Sequence, residues 1–311
     1  MKSTTEKPSS IAVDWGTTRF RAHLVAGDGR LLESVDSDEG MGQVRDGAFE
    51  AVLAHRCEPW LLAFPGLPVL MAGMVGSRNG WREVPYISCP AGLADIAAGL
   101  ASVTTSGGAT VHIIPGLVTA DAAADVMRGE ETQILGAGVD DAVVILPGTH
   151  SKWAIVRAGR IETFRTFMTG EFYNLLTRHS VLRLLAEPQA DGSDTRSAFQ
   201  AGLDAAAADG GLLSSAFRVR TGVLSGRLSP RDVEPYLSGL LIGSEIARAI
   251  ELAPPDLPLV LVATGIVAVN YSQAIKAAGG AVTVVDPERV LVNGVLRVAR
   301  HNKDTSNVRP D

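Results

Sequence analysis

The 311-residue chain holds only two cysteines, Cys57 and Cys89, and aromatic residues make up just 5% of it. Two thiols in a chain of this size form no disulfide framework, and neither has a setting that would lower its pKa. Both are expected to be reduced and without chemistry. Positive charge is also short: 28 Lys+Arg against 34 Asp+Glu leave a net charge of −6. That balance excludes a protein built to neutralise a phosphate backbone, so no nucleic-acid partner is expected. No apolar run reaches the ~18 residues that would cross a bilayer, and residues 1–10 lack the apolar centre of a secretory signal. A cytoplasmic location without membrane contact is the expectation. The six histidines show no HxxxH spacing and there is no CxxC pair, which argues against a structural metal site. GxxxxGK[ST] is missing, and no GxGxxG follows the first strand, so the P-loop and dinucleotide folds are disfavoured.

What the chain has is small: 33 glycines and 46% hydrophobic residues, mostly aliphatic. Its length is a prior for two domains. Residues 11–13 read as a β-branched strand opening on Asp14-Trp15-Gly16-Thr17-Thr18. Residues 19–25 and 30–35 follow as further strands around an Asp-Gly turn, making a meander. The pattern returns at 141–146, opening on Pro147-Gly148-Thr149-His150-Ser151-Lys152, with strands at 153–156 and 161–167. Gly16-Thr17 falls on Gly148-Thr149 and Gly29-Arg30 on Gly159-Arg160, a weak internal repeat that points to duplicated halves facing each other. Helices are expected at 48–64, 93–100, 121–135, 235–251, 270–278 and 288–300, with a frayed end over 302–311. The expected boundary near Pro115-Gly116 gives lobes of residues 1–115 and 116–311.

The two Gly-Thr turns carry the chemistry. Glycine permits close backbone approach, so the amides of Gly16, Thr17 and Thr18 can point at anionic oxygens, and the hydroxyls add donors. Asp14, at the strand end, can hold Mg²⁺ through water. Gly148, Thr149 and Ser151 offer the same donors together with cationic Lys152. Either turn alone could be a plain strand connection; two at matching places of a repeat suggest a polyphosphate clamp. Gly265, between a buried strand and a helix, can receive part of a nucleotide, or simply cap the helix.

Strand–DxGTT–strand, a second Gly-Thr turn and a late glycine before a helix resemble the phosphate 1, phosphate 2 and adenosine motifs of the actin/hexokinase/Hsp70 superfamily. Within it, VDWGTTRFRAHL, MAGMVGSRNGWREVPYISCPAG, DVMRGEETQILGA, LPGTHSKW and TFMTGEFYNLL resemble the 2-dehydro-3-deoxygalactonokinase family over nearly the whole chain. The resemblance implies an α/β protein with two ribonuclease H-like lobes of the actin-like ATPase fold and the nucleotide cleft between them. It further implies ATP-dependent phosphorylation of 2-dehydro-3-deoxy-D-galactonate at its terminal 6-hydroxyl. Asp14 would sit near Mg²⁺; Gly16, Thr17 and Thr18 would cradle the β- and γ-phosphates. Gly148, Thr149, Ser151 and Lys152 would grip them from the other lobe, and Gly265 would lie against the adenosine.

Many sugar kinases of the superfamily carry an aspartate base near the second turn, but residues 146–150 hold no carboxylate. The base must come from elsewhere, and Glu130 or Glu131 is the candidate, with Asp14 as fallback. Adjacent helical residues point ~100° apart, so only one of the two can face the cleft; both could also be solvated helix charges. For the sugar acid, Arg78 offers a bidentate partner to a carboxylate and Trp81 a flat face, with Ser77 in the same loop. Thr169, Glu171 and Asn174 could bond sugar hydroxyls, though Glu171 could equally cap a helix. Arg19 could meet phosphate or remain on the surface, and His150 stands beside the second turn. The rival functions are a phosphohydrolase, suggested by the exopolyphosphatase-like Gly129-Glu130-Glu131, and an ATP-switched binding module. Oligomeric state stays open, a homodimer included.

Overall fold

In a computed structural model describing residues 7–120, 124–188, 194–208 and 211–308, the first strand, β1 (Pro8–Trp15), is buried over most of its length. Ile11, Val13 and Trp15 point to one face and pack on Phe49, Leu53, Cys57 and Trp60, which recur along one side of α1 (Phe49–Ala63). The strand period of two thus meets the helix period of 3.6 in one apolar layer. Trp15 sits edge-on to Phe20, ring centroids 4.8 Å apart, and to Phe49 at 5.5 Å.

β1 pairs antiparallel with β2 (Phe20–Ala26), which pairs antiparallel with β3 (Leu31–Ser37); this is the expected meander. On its other side β1 runs parallel to β4 (Val69–Ala72). β5 (Ile87–Ser88) precedes α2 (Leu93–Ala98), β6 (Ala101–Thr104) and β7 (Thr110–Ile113). The six-stranded sheet has the order β3-β2-β1-β4-β7-β6. A small sheet, β5-β8-β9, uses β8 (Leu117–Val118) and β9 (Val126–Met127). Then come α3 (Glu130–Ala137), β10 (Ala142–Leu146), β11 (Ser151–Arg157) and β12 (Arg160–Phe167). α4 (Thr169–His179), α5 (Arg196–Ala207), α6 (Gly211–Leu224) and α7 (Val233–Leu252) follow, and then β13 (Leu259–Val262), α8 (Gly265–Ala277), β14 (Val282–Val285) and α9 (Pro287–Val308).

The second large sheet has the order β12-β11-β10-β13-β14, with β10 parallel to β13. Third-second-first-next is the order around β1 as well, so the repeat read in the sequence is a repeat of topology.

Two compact units emerge: Met1–Asp141 with Ile155–Phe164 and Val285–Asp311, and Ala142–Ala154 with Arg165–Val284. They differ from lobes at 1–115 and 116–311. Residues 116–141 stay with the first unit because β8 and β9 pair there, and α9 returns to it by packing on α2, α3, β1 and β4. α3 and α9 touch backbone to backbone: a Cβ on Gly136 would lie 1.7 Å from the Val290 carbonyl oxygen, and one on Gly294 1.9 Å from that of Thr132. In the second unit, Gly202 and Gly239 bring α5 and α7 together in the same way.

Several local expectations are corrected. The helix expected over 121–135, whose residues 121–123 lie outside the described set, starts only at Glu130. Val126 and Met127 are in a strand instead, and Gly129, at φ +106°, turns the chain between them. α8 starts at Gly265 rather than at 270. α9 continues to Val308 where fraying was expected, residues 309–311 lying outside the described set. α5 and α6 were not expected at all. The cysteines are free, as expected, and both are buried, which pushes the Cys57 thiol up to about 12 and that of Cys89 to about 11.

Candidate functional site

In the first unit, the Gly16 amide closes the hairpin on the Arg19 carbonyl at 3.0 Å, so it is not a free donor. Thr17 and Thr18 are exposed. Beneath them runs the segment after β3. Met41 N–H donates to the Gly16 carbonyl and Gly42 N–H to that of Thr17, both at 2.9 Å. In a planar trans peptide the C=O and the following N–H point in opposite directions. With both carbonyls tied downward, the amides of Thr17 and Thr18 face away from the brace. Gly40 makes this possible: a Cβ there would fall 2.2 Å from the Thr18 backbone.

Asp14 is half-buried and pairs with Arg21 at 3.4 Å. Burial raises its carboxyl pKa; Arg21 opposes and the Glu130 charge reinforces the shift. Around it three segments converge. Gly73, at φ +95°, has room for no side chain: a Cβ would meet the Trp15 carbonyl oxygen at 2.8 Å and Asp14 Oδ1 at 3.3 Å. A Cβ on Gly129 would in turn meet Gly73 Cα at 3.1 Å. Gly129 delivers the chain to the start of α3, where both glutamates fold back on preceding amides. Glu130 Oε2 accepts from Arg128 N–H at 3.0 Å, and Glu131 Oε2 from Gly129 N–H at 2.7 Å. Carboxylates are favoured at a helix N-terminus. Glu131 is fully buried, its other oxygen bonded by the Thr132 hydroxyl at 2.8 Å. Burial and the Glu130 charge push its pKa up to about 7. Glu130 is half-buried.

Arg78 is exposed, with Ser77 half-buried next to it and bonded to Met41 Sδ at 3.5 Å. Trp81 is half-buried and stacks on Phe49, planes 8° apart, ring centroids at 6.5 Å. Arg19 is held by Asp36 through two bonds of 3.1 and 2.8 Å, the surface alternative for that residue. Arg128, which sequence reasoning passed over, is buried, lies 4.3 Å over the Tyr86 ring and donates to the Val84 carbonyl at 2.8 Å.

The second unit repeats the braced turn. Gly148, Thr149 and His150 are exposed. Glu171 N–H donates to the Thr149 carbonyl at 3.0 Å, and a Cβ on Gly170 would fall 2.4 Å from the Gly148 carbonyl oxygen. The Glu171 carboxylate bonds His150, so it stays at the turn. Lys152 is buried and donates to the His150 carbonyl at 3.1 Å. Ser151 is fully buried, its hydroxyl 3.0 Å from that of Tyr271 rather than out among the exposed donors of the turn. A cavity of about 450 Å³ opens beside the turn, lined by Gly148, Thr169, Gly170, Ile266, Val267 and Tyr271 among others. Gly265 stands at the exposed start of α8, next to Ile266 and Val267. Glu245, Tyr271 and Trp153 form a buried network that sequence reasoning missed. The signal was available: Glu245 is a lone carboxylate i+4 from Leu241 and i+8 from Leu237 on the apolar side of α7.

Exposed amides on a glycine turn, basic Lys152 behind it, a nucleoside-sized cavity beside it and paired carboxylates in the other unit are the parts a phosphoryl-transfer enzyme needs. The chain is 39% identical over 292 residues to the 2-dehydro-3-deoxygalactonokinase of Escherichia coli (strain K12), covering 93% of this chain and 97% of that one. It is similar, at 35% identity and a TM-score of 0.84, to the crystal structure of a Sinorhizobium meliloti protein put forward as a 2-dehydro-3-deoxygalactonokinase, covering 94% of this chain and 98% of that one. The activator of the 2-hydroxyisocaproyl-CoA dehydratase from Clostridium difficile, solved with bound ADPNP, shares the fold alone. It has 11% identity and a TM-score of 0.50 over 97% of this chain and 98% of its own. The architecture is thus the α/β, ribonuclease H-like fold of actin-like ATPases. The family model for 2-keto-3-deoxy-galactonokinase matches residues 14–298, and the chain belongs to that family.

Proposed function

We propose that the chain, a kinase by its family, transfers the γ-phosphoryl group of ATP to the terminal 6-hydroxyl of 2-dehydro-3-deoxy-D-galactonate, a step of galactonate breakdown. Family membership favours this over a phosphohydrolase or a nucleotide-switched binding module. The observation that carries the nucleotide half is the turn at Gly148 and Thr149 opening on the 450 Å³ cavity, with the N-terminus of α8 at its edge. The adenosine fills that cavity near Gly265, and the phosphates take the amides of the turn and the charge of Lys152. Thr169 and Glu171, expected at the sugar acid, lie beside this turn and serve the nucleotide side instead.

The first unit supplies the acceptor and proton chemistry. The amides of Thr17 and Thr18 take phosphate oxygens. Mg²⁺ would be held by Asp14 together with phosphate oxygens and water, neutralising charge on the transferring group. A single carboxylate suits an ion that keeps most of its water, and no cluster of three or more His, Cys, Asp or Glu side chains able to hold a metal occurs among the described residues. Glu130 is the base: it is half-buried and its charge is felt by Asp14, whereas Glu131 is fully buried. Arg78 is exposed and takes the sugar-acid carboxylate. No helix among the described residues is long and apolar enough to cross a membrane; a cytoplasmic location belongs to the same proposal.

An ADP-release assay over a panel of sugar acids tests the reading. ADP should appear only with ATP and 2-dehydro-3-deoxy-D-galactonate or a close relative. Equal nucleotide hydrolysis with and without an acceptor would replace it with the phosphohydrolase.

A further inference from the structure

Glu245 has only 3% of its surface exposed, and none of the roles above uses it. Trp153 Nε1 donates to its Oε1 at 2.8 Å, Tyr271 OH donates to its Oε2 at 2.8 Å, and the Thr169 hydroxyl donates to Oε2 as well. The donors come from β11, α4 and α8, the elements that carry the second turn and line the cavity.

Two of the hydroxyl bonds run in a set direction, both towards the carboxylate. A phenol has one proton, and Tyr271 spends it on Glu245; the Ser151 hydroxyl lies 3.0 Å from that of Tyr271 and also bonds Glu245. Thr169 spends its own proton on Glu245 in the same way. Both lone-pair sites of Oε2 are then filled; burial raises the Glu245 carboxyl pKa, and the hydrogen bonds from Thr169, Trp153, Tyr271 and Ser151 oppose that rise. A carboxylate buried without such donors would be very costly. Thr169 and Tyr271 also line the cavity. Thr169 therefore meets a ligand there with a lone pair and no hydrogen.

We infer that Glu245 is a positioning residue that holds Thr169 as an acceptor-only group, and that this group takes a ribose hydroxyl of the nucleotide. The inference rests on reading the cavity as the nucleotide site. Ribose is favoured over the base amine because Thr169 adjoins Gly170, whose backbone seats on Gly148 and Thr149 of the phosphate turn. The part of the nucleotide within reach is the part next to the phosphates.

The test uses the full chain with ATP, 2′-deoxy-ATP, 3′-deoxy-ATP and ITP as phosphoryl donors. For the native protein, kcat/KM should fall about tenfold for one of the two deoxy nucleotides, the size expected for one hydroxyl hydrogen bond. Thr169→Val should lower kcat/KM for ATP by about the same factor and abolish the discrimination, while Thr169→Ser restores both. Glu245→Gln should raise KM for ATP and lose the discrimination, with KM for the sugar acid unchanged within about twofold. A merely structural Glu245 would lower the melting temperature and the yield of active protein without touching the ribose preference. If Glu245→Gln does not fold, the Thr169 pair decides. Native enzyme that uses both deoxy nucleotides like ATP, or Thr169→Val that keeps the native preference or loses one against ITP instead, overturns the inference. Ser238→Trp, which fills the cavity, separates the two levels. Unchanged KM for ATP in that variant removes the nucleotide reading itself, whereas a raised KM with no ribose effect at Thr169 removes only the inference.

Discussion

Gly170 leaves no space above Gly148: a side-chain carbon on the first would stand 2.4 Å from the carbonyl oxygen of the second. The same relation joins Gly40 and Thr18 at 2.2 Å in the other unit. Each glycine follows the third strand of its meander by three residues. Gly170→Ala is expected to displace the turn and to reduce kcat/KM for ATP at least about tenfold, as small misplacements of a binding group do. Initial-rate kinetics checks this, with Gly107→Ala, in an open loop, as the neutral control.

Removing the proposed base should separate chemistry from binding. Glu130→Gln is expected to lower kcat by about 10²–10⁴ with little change in KM for either substrate, the range seen for positioned general bases. Glu131→Gln should spare more of the rate and act mainly on α3. Steady-state kinetics on both variants distinguishes them; equal, full activity in both would move the role to Asp14.

Glu131 also predicts a pH dependence of stability. Its folded pKa of about 7 lies above the ordinary glutamate value of 4.5. Between these values the folded chain holds a proton that the unfolded chain has released, so this group makes stability fall as pH rises from 4.5 to 7. The slope is at most about 1.4 kcal/mol per pH unit for one proton. Urea midpoints taken between pH 5 and 8 should fall less steeply in Glu131→Gln than in the native chain.

The contact of α3 with α9 makes a stability prediction free of any ligand. Gly136→Ala or Gly294→Ala places a methyl group within 2 Å of a backbone carbonyl oxygen, at 1.7 and 1.9 Å. Because backbone cannot swing aside as a side chain can, each should cost at least about 2 kcal/mol, towards the upper part of the overpacking range. Denaturant unfolding measures it, and a midpoint unchanged from the native chain would contradict the packing.

Much of this was readable beforehand for definite reasons. β-branched runs ended by Gly-Thr and Asp-Gly turns identify β1 to β3 and β10 to β12, because strand period and turn chemistry are both local. The helix at 121–135 failed because its apolar spacing suits either state, and pairing of Val126 and Met127 with Leu117 and Val118 is a tertiary choice. The turn residues Thr17, Thr18, Gly148 and Thr149 were legible, but their braces, Gly40 and Gly170, were not. A glycine selected for close approach looks in sequence like any loop glycine. Ser151 illustrates the remaining gap: a hydroxyl near a motif announces its chemistry, but only packing shows that it is buried against Tyr271.

Gly136, Gly294, Gly202 and Gly239 touch no proposed ligand, yet each bars a single methyl group. Random mutagenesis under selection for growth on galactonate should therefore leave these four helix positions as blank as the two Gly-Thr turns. Intolerance to change, taken by itself, would mistake scaffold for active centre in this chain.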